Sequence, residues 1–291
     1  MNLGMLLQLF VIGISMGMIY AILAMGIVLL WRAVGVLNFA QGELFMMGAF
    51  VTFALTVQIH MPLYAMLVIA LIVFALFGAL FMFCVYWPLR KSKWPATIII
   101  STLGASVVIR EIAKVIWGTI PVVQPHIIRG VWITPTFRIE YQYLFIIGVS
   151  AFMIIGVFLL FDKLFVGRVM QAAAQNKYAA ELIGISTIVT TILTYIISTS
   201  IAAVGGWLVS PLFLVSTGLG AFLLRGFAGM VIGGMGDVRG AVLGSLLIGL
   251  LEAFTVMLTT TFRDAIVFLV LLLVLIFRPR GFFGSKISEK A

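Results

Sequence analysis

Long apolar runs recur along the whole of this chain, and they restrict its fold more than any other feature does. Residues 6–30, for example, contain no charged side chain, and a helix of about 20 apolar residues is long enough to cross the hydrocarbon core of a bilayer. Charged residues make up only 9% of the 291, whereas soluble domains carry about a quarter. A transmembrane β-barrel would show short alternating strands instead of unbroken runs. The sequence therefore predicts an all-α, polytopic helical bundle in a membrane.

The runs predict about eight or nine transmembrane helices. Their approximate bounds are residues 6–30, 36–59, 62–86, 96–117, 143–161, 187–209, 217–236, 241–260 and 265–277. The second run is weak because it opens with polar residues, and the ninth is short for a crossing of about 20 residues. No polar linker is long enough to separate two folding units, so we expect one transmembrane domain over residues 1–291.

Basic residues are distributed unequally between the two sides of such a bundle. If the basic loop at residues 90–93 is placed inside, alternation of the spans leaves 12 basic residues inside and 3 outside, as the positive-inside rule requires. This predicts an N-terminus outside, a C-terminus inside and an internal polar segment at residues 163–186. The external loop at residues 118–140 contains Pro121, Pro125 and Pro135, which predict irregular structure.

Several kinds of chemistry have no motif in this sequence. There is no phosphate-binding G-x-x-x-x-G-K-[ST], no H-E-x-x-H and no Cys/His metal spacing, and Cys84 has no second cysteine to pair with. Residues 13–17 match G-x-S-x-G, but they lie inside an apolar run, which favours helix packing over a serine nucleophile. The net charge of +9 comes from basic residues at helix ends, so it does not indicate nucleic acid. We predict no catalytic residue, metal or cofactor in this chain.

Polar side chains inside the runs are the candidates for a translocation pathway. An ionisable group in the bilayer costs about 2.5–3.5 kcal/mol, so Glu43, Arg225 and Glu252 need partners or water. Asn38 and Gln41 lie just before Glu43 and join this set. A purely structural ion pair is the alternative. Arg110, Glu111 and Lys114 lie near the outer end of their run and are predicted to snorkel to the surface.

Residues 167–185 form the longest polar, helix-favouring segment of the chain. Small and apolar residues recur there at helical spacing, and polar residues take the opposite face. The small face consists of Val169, Ala172, Ala173, Ala179, Ala180 and Ile183. Gly184 fits a helix stop, and Ser186 fits the N-cap of the next helix. A helix of this kind between two spans suits docking to another protein; a solvated helical loop is the alternative.

Three motifs in this sequence resemble those of permeases from branched-chain amino acid ABC importers. The first is G-R-x-x-x-A-x-A-x-N-x-x-x-A-x-L-x-G-I, carried here by Gly167, Arg168, Ala172, Ala174, Asn176, Ala180, Leu182, Gly184 and Ile185. The second is L-N-F-A-Q-G-E at residues 37–43, and the third is G-G-M-G-D-V-R-G-A at residues 233–241. Members often carry a second arginine where this chain has Gln171. The motifs lie in order over most of the chain and are specific for the family only together.

The resemblance implies a permease subunit in the inner membrane of a bacterium. Its partners would be a second related permease or a copy of itself, two cytoplasmic ATPase subunits that bind ATP and Mg, and a periplasmic solute-binding protein. Coupling to the ATPases would fall to Gly167, Arg168, Ala172, Ala173, Asn176, Ala180, Glu181 and Gly184. The solute would be a branched-chain amino acid or a related small polar molecule. A self-contained secondary transporter or channel is the alternative, since Glu43 and Glu252 resemble the midplane acids of such proteins.

Overall fold

The computed structural model of the chain describes residues 3–92, 94, 96–134, 137–258 and 262–283. Within these residues it contains eleven α-helices and one short hairpin. The elements are α1 Leu3–Val34, α2 Gln41–Phe53, α3 Leu63–Phe81, α4 Ala96–Trp117, β1 Val131–Ile133, β2 Arg138–Glu140, α5 Tyr141–Asp162, α6 Phe165–Gln175, α7 Lys177–Leu182, α8 Thr187–Val209, α9 Phe222–Gly233, α10 Val238–Leu258 and α11 Arg263–Phe277. A π-helical turn extends α2, π and 3₁₀ turns extend α3 to Leu89, and a 3₁₀ turn at Thr217–Ala221 precedes α9.

The all-helical membrane bundle is confirmed, but the predicted number of spans is not. Six helices of the described residues are long and apolar enough to cross a bilayer: α1, α3 with its extension, α4, α5, α8 and α10. Helices α9 and α11 have only 12 and 15 residues, against about 20 for a full crossing, and α2 is not among the six even with its π turn. The predicted eighth run ended at residue 260, and residues 259–261 lie outside the described residues, as do Lys286 and Lys290.

Helix α1 is the centre of the bundle. Its residues from Ser15 to Leu30 are buried without interruption, and it packs against α5, α8, α9 and α10. Glycines make the contact with α10 close: a Cβ on Gly17 would come within 2.8 Å of the Leu246 backbone. Small residues allow two helix backbones to approach in this way. The G-x-S-x-G match at residues 13–17 is therefore part of a packing surface, as predicted.

The two short helices α2 and α9 begin next to each other inside the bundle. Helix α2 packs on α8, and α9 packs on α1. Gly42 in the first turn of α2 lies against the carbonyl of Gly220, in the 3₁₀ turn that precedes α9. Interrupted helices whose ends meet in the bundle interior are typical of solute sites in transporters.

The loop at residues 118–140 is more ordered than predicted. Strands β1 and β2 pair antiparallel with Trp132 opposite Ile139, and the Trp132 ring packs edge-on against Phe137 at 5.8 Å. Val122 forms an isolated bridge with Val215, in the chain that follows α8. The prediction of irregular structure was wrong only for the two strands, where Val131, Trp132, Ile133 and Ile139 are of the β-branched and aromatic types that favour strands.

Candidate translocation residues and coupling segment

Glu43 forms an ion pair with Arg110 between α2 and α4. The Glu43 side chain is only 3% exposed, and its Oε1 accepts a hydrogen bond from Arg110 Nε at 3.1 Å and a second from Nη2. Two turns further on, Phe50 of α2 stacks on Trp117 of α4 with ring centroids 5.2 Å apart. The Arg110 side chain is 43% exposed, which fits the predicted snorkelling, but its guanidinium also offsets a buried carboxylate, which was not predicted.

A second ion cluster joins four helices, and we call Tyr20, Arg225, Glu252, Arg263 and Asp264 the ion cluster. Glu252 Oε2 accepts a hydrogen bond from the Tyr20 hydroxyl. Its Oε1 lies 3.2 Å from Arg225 Nε and 2.7 Å from Arg263 Nη2. Arg225 Nη2 also donates to Asp264 Oδ1 at 2.5 Å. The two predicted residues, Arg225 and Glu252, thus lie together, and the two arginines balance the two carboxylates.

Sequence analysis missed Tyr20, Arg263 and Asp264 as members of this cluster. Tyr20 and Glu252 are separated by 232 positions, and no local pattern connects them. The available signal was the polar start of α11, since Arg263 and Asp264 directly precede its apolar run. A pocket of about 200 Å³, lined in part by Glu252 and Arg263, lies beside the cluster; we call it the hairpin-side pocket because Tyr143, three residues after β2, also lines it.

Asn38 and Gln41 use their polar atoms to hold the start of α2 in place. Gln41 Nε2 donates to the Ser198 carbonyl at 3.0 Å, and Asn38 Oδ1 accepts from Ala40 N at 3.0 Å. Ser198 Oγ in turn donates to the Gly26 carbonyl at 2.8 Å. This network connects α1, α2 and α8, and it lies apart from the ion cluster. A role of Asn38 and Gln41 in translocation stays a prediction.

The segment predicted to couple to an ATPase is a pair of short helices instead of the single helix expected. The backbone of Asn176 is extended and ends α6, and its Oδ1 accepts from Ala179 N at 3.0 Å to cap α7. Asparagine caps helices well, so one residue ends the first helix and begins the second. Gly184 has a φ of +85° and Ser186 caps α8, as predicted for a helix stop and an N-cap.

Part of the small-residue face of this segment packs on the chain's own bundle. Ala173 and Ala180 are each 3% exposed, and Gly167 lies against the backbone of Leu160 and Phe161. Gln171, where the family often has arginine, donates from Nε2 to the Phe161 carbonyl at 2.7 Å. The prediction that the alanine face is free to dock on a partner was therefore wrong for Ala173 and Ala180, whereas Ala179 is exposed.

Other parts of the segment, including Ile183 of the predicted small-residue face, expose large apolar side chains; we call Phe165, Val166, Tyr178, Leu182 and Ile183 the coupling surface. Phe165, Tyr178, Leu182 and Ile183 are between 71% and 75% exposed, and Val166 is 43% exposed. Arg168 is exposed as well, and Ala172 is half-buried. Behind α7, a pocket of about 320 Å³ lies between Lys177 and Glu181 on one side and Trp87 and Arg90 on the other. Glu181 Oε1 accepts from Thr187 Oγ1 at 2.5 Å, which joins α7 to the start of α8.

The chain is similar to a protein family, to individual relatives and, more distantly, to a chain of one solved structure. The profile of a family described as the permease component of branched-chain amino acid transport systems matches residues 9–275. The chain is 28% identical over 296 residues to the high-affinity branched-chain amino acid transport permease LivH of Escherichia coli, covering 96% of this chain and 95% of that protein. It is 28% identical to BraD of Pseudomonas aeruginosa, covering 98% and 97% of the two chains. A chain of PsaBC from Streptococcus pneumoniae, solved with a Fab, has a TM-score of 0.49 at 15% identity, with 94% of this chain and 90% of that one covered.

Proposed function

The chain belongs to the family of branched-chain amino acid transport permease components, and from that premise we propose how it works. It is the transmembrane subunit of an ATP-driven importer in a bacterial inner membrane, and it moves branched-chain amino acids or a related small polar solute. A periplasmic binding protein delivers the solute. Two cytoplasmic ATPase subunits bind ATP and Mg and drive the cycle, and a second related permease or a copy of this chain completes the transmembrane part.

The coupling surface is the observation that supports this proposal most directly. Protein surfaces that are exposed to water rarely carry several large apolar side chains together unless they bind a partner. Here Phe165, Tyr178, Leu182 and Ile183 project from two short helices between the spans α5 and α8. An apolar helix face laid into a groove is a common mode of protein recognition, and we assign the groove to an ATPase subunit.

Each residue of the segment has a separate task in this proposal. Gly167, Ala173 and Ala180 hold the two helices against the bundle, so that a push on the coupling surface reaches α5 and α8. Asn176 and Gly184 set the angles at which the helices turn. Arg168, Ala172 and Glu181 then lie on or beside the contact with the ATPase.

The ion cluster and the Glu43–Arg110 pair are proposed to lie on the translocation pathway. Charges inside a membrane protein commonly mark the route of a solute. Both groups connect short or interrupted helices to longer ones, where a small rearrangement changes the contacts of a charge. Asn38 and Gln41 would steady the start of α2 beside this route.

A co-purification experiment tests the coupling surface. We expect Leu182→Glu to reduce the ATPase subunits recovered with the tagged permease by about ten-fold, since loss of one buried anchor commonly costs at least the 1.4 kcal/mol that corresponds to that factor. Ile133→Glu is the matched control: it changes a side chain that is 66% exposed on the hairpin and should leave recovery unchanged.

Crosslinking identifies the partner in the same experiment. With Cys84 replaced by serine, a cysteine at Tyr178 should crosslink to an ATPase subunit. Equal ATPase recovery with Leu182→Glu and with the control, together with no crosslink from Tyr178→Cys, would show that this surface does not carry the ATPase.

A further inference from the structure

The hairpin-side pocket has a polar wall that carries both signs of charge. Glu252 and Arg263 line it together with Tyr143, and the facing Oε1 and Nη2 atoms of Glu252 and Arg263 are 2.7 Å apart. The rest of the lining is mainly apolar and includes Ile12, Leu212 and Val256. The volume of about 200 Å³ is below the roughly 300–1,000 Å³ of sites for drug-sized ligands, which indicates a smaller solute.

The charges of this wall are balanced before any solute arrives. Arg225 and Arg263 offset Glu252 and Asp264. A ligand with a single net charge would leave one buried ion without a partner, which is costly in a medium of low polarity. A ligand with one positive and one negative group would keep the balance.

Glu252 Oε1 is shared by Arg225 and Arg263, so the ammonium group of a ligand would reach it by taking the place of the Arg263 guanidinium. Within the described part of the chain, no donor is aligned with this buried atom, although two guanidinium nitrogens lie within 3.2 Å of it. The Arg263 side chain is 32% exposed, and a guanidinium binds a carboxylate through two parallel N–H groups. An ammonium and a carboxylate group therefore each have a partner side chain at the same wall.

We propose that the hairpin-side pocket binds a zwitterionic amino acid with an aliphatic side chain as it enters the permease. Glu252 takes the ammonium group, Arg263 takes the carboxylate, and the side chain lies against Ile12, Leu212 and Val256. The pocket is built from the ends of α1, α5, α10 and α11 that meet the hairpin side of the bundle, so it faces the side from which the binding protein would deliver the solute. This assignment rests on the proposed function and adds the place and chemistry of recognition.

Protection of an introduced cysteine tests the pocket without ATP or transport. In the complete complex in lipid nanodiscs, with Cys84 replaced by serine, Val256→Cys is labelled with a maleimide in the presence of leucine. We expect leucine at about ten times its Kd to slow labelling roughly ten-fold, because about a tenth of the pockets are then unoccupied. Ile133→Cys lies on the hairpin, where the side chain is 66% exposed, and should be labelled at the same rate with and without leucine.

Two leucine analogues separate charge recognition from simple filling of the pocket. Leucinamide lacks the carboxylate and 4-methylpentanoate lacks the ammonium group, and we expect both to protect Val256→Cys far less well than leucine. In the Arg263→Gln variant, leucine should protect Val256→Cys no better than leucinamide does. A purely structural effect of that substitution would instead weaken protection by both ligands equally.

The outcomes for the pocket and for the proposed function are distinct. Equal protection by leucine and both analogues, or none by leucine, overturns the pocket assignment even if the complex takes up leucine with ATP. Selective protection by leucine supports the assignment, and a complex that shows it without ATP-driven uptake would contradict only the proposed function.

Discussion

Arg225 lies at the centre of the ion cluster, between Glu252 and Asp264. Its side chain is 12% exposed and its guanidinium also lies over the Phe222 ring at 5.4 Å. Removing one partner of a buried ion pair costs about 3–5 kcal/mol, because the remaining charge is left without compensation. The residue is thus important for stability whether or not a solute passes beside it.

Substitution of Arg225 separates transport from assembly. We expect Arg225→Leu to reduce ATP-driven uptake at least ten-fold, which corresponds to about 1.4 kcal/mol, and to leave co-purification of the ATPase subunits intact. We expect co-purification to stay intact because Arg225 belongs to the ion cluster, whereas the coupling surface lies on α6 and α7. Lys114→Leu is the control, since Lys114 pairs with Glu111 at a partly exposed site, where such pairs contribute about 0–1 kcal/mol. Normal uptake by Arg225→Leu would restrict Arg225 to a structural role.

Sequence reasoning identified the buried charges better than it identified their partners. Glu43, Arg225 and Glu252 stood out because a charge inside an apolar run requires a partner. Arg110 was missed because a charge near a helix end has an equally good explanation in snorkelling. The contacts of this pair join α2 to α4 and are set by tertiary packing, which one sequence does not reveal.

At the scale of the element, apolar length predicted the full spans well. The predicted bounds of residues 96–117 and 187–209 are the bounds of α4 and α8. The prediction for the second run was wrong at its start, because residues 36–40 are not helical and α2 begins at Gln41. There the Asn38 side chain bonds to the backbone of Ala40, and such local hydrogen bonds compete with helix formation.

The coupling segment shows how one residue changes an element. Helical spacing alone predicted one helix over residues 167–185, and it placed the small residues on the docking side. Asn176 breaks that helix by capping α7, Gly167 fits closely against α5, and Ala173 and Ala180 are buried. A stripe of small residues indicates close packing but does not say on which side, and in this chain the surface that we propose for the partner is the large apolar one.

At the scale of the whole molecule, the proposed orientation rests on the basic residues and is open to a direct test. A cysteine at Ser92, in the basic loop after α3, should react with an impermeant maleimide only from the cytoplasmic side. A cysteine at Thr134, in the hairpin, should react only from the periplasmic side. The reason is the asymmetry of Lys and Arg between the two sides. Labelling of Ser92→Cys in intact cells would reverse the orientation proposed for the chain.

The central claim is that this permease moves its solute only when ATPase partners drive it, and uptake into reconstituted vesicles tests that claim most directly. Labelled leucine should accumulate in vesicles that contain the complete complex, the binding protein and ATP, and should fail to accumulate when any one of these is withheld. Vesicles that contain this chain alone should accumulate none under a proton or sodium gradient. Accumulation by the chain alone under such a gradient would contradict the account and would favour a self-contained secondary transporter.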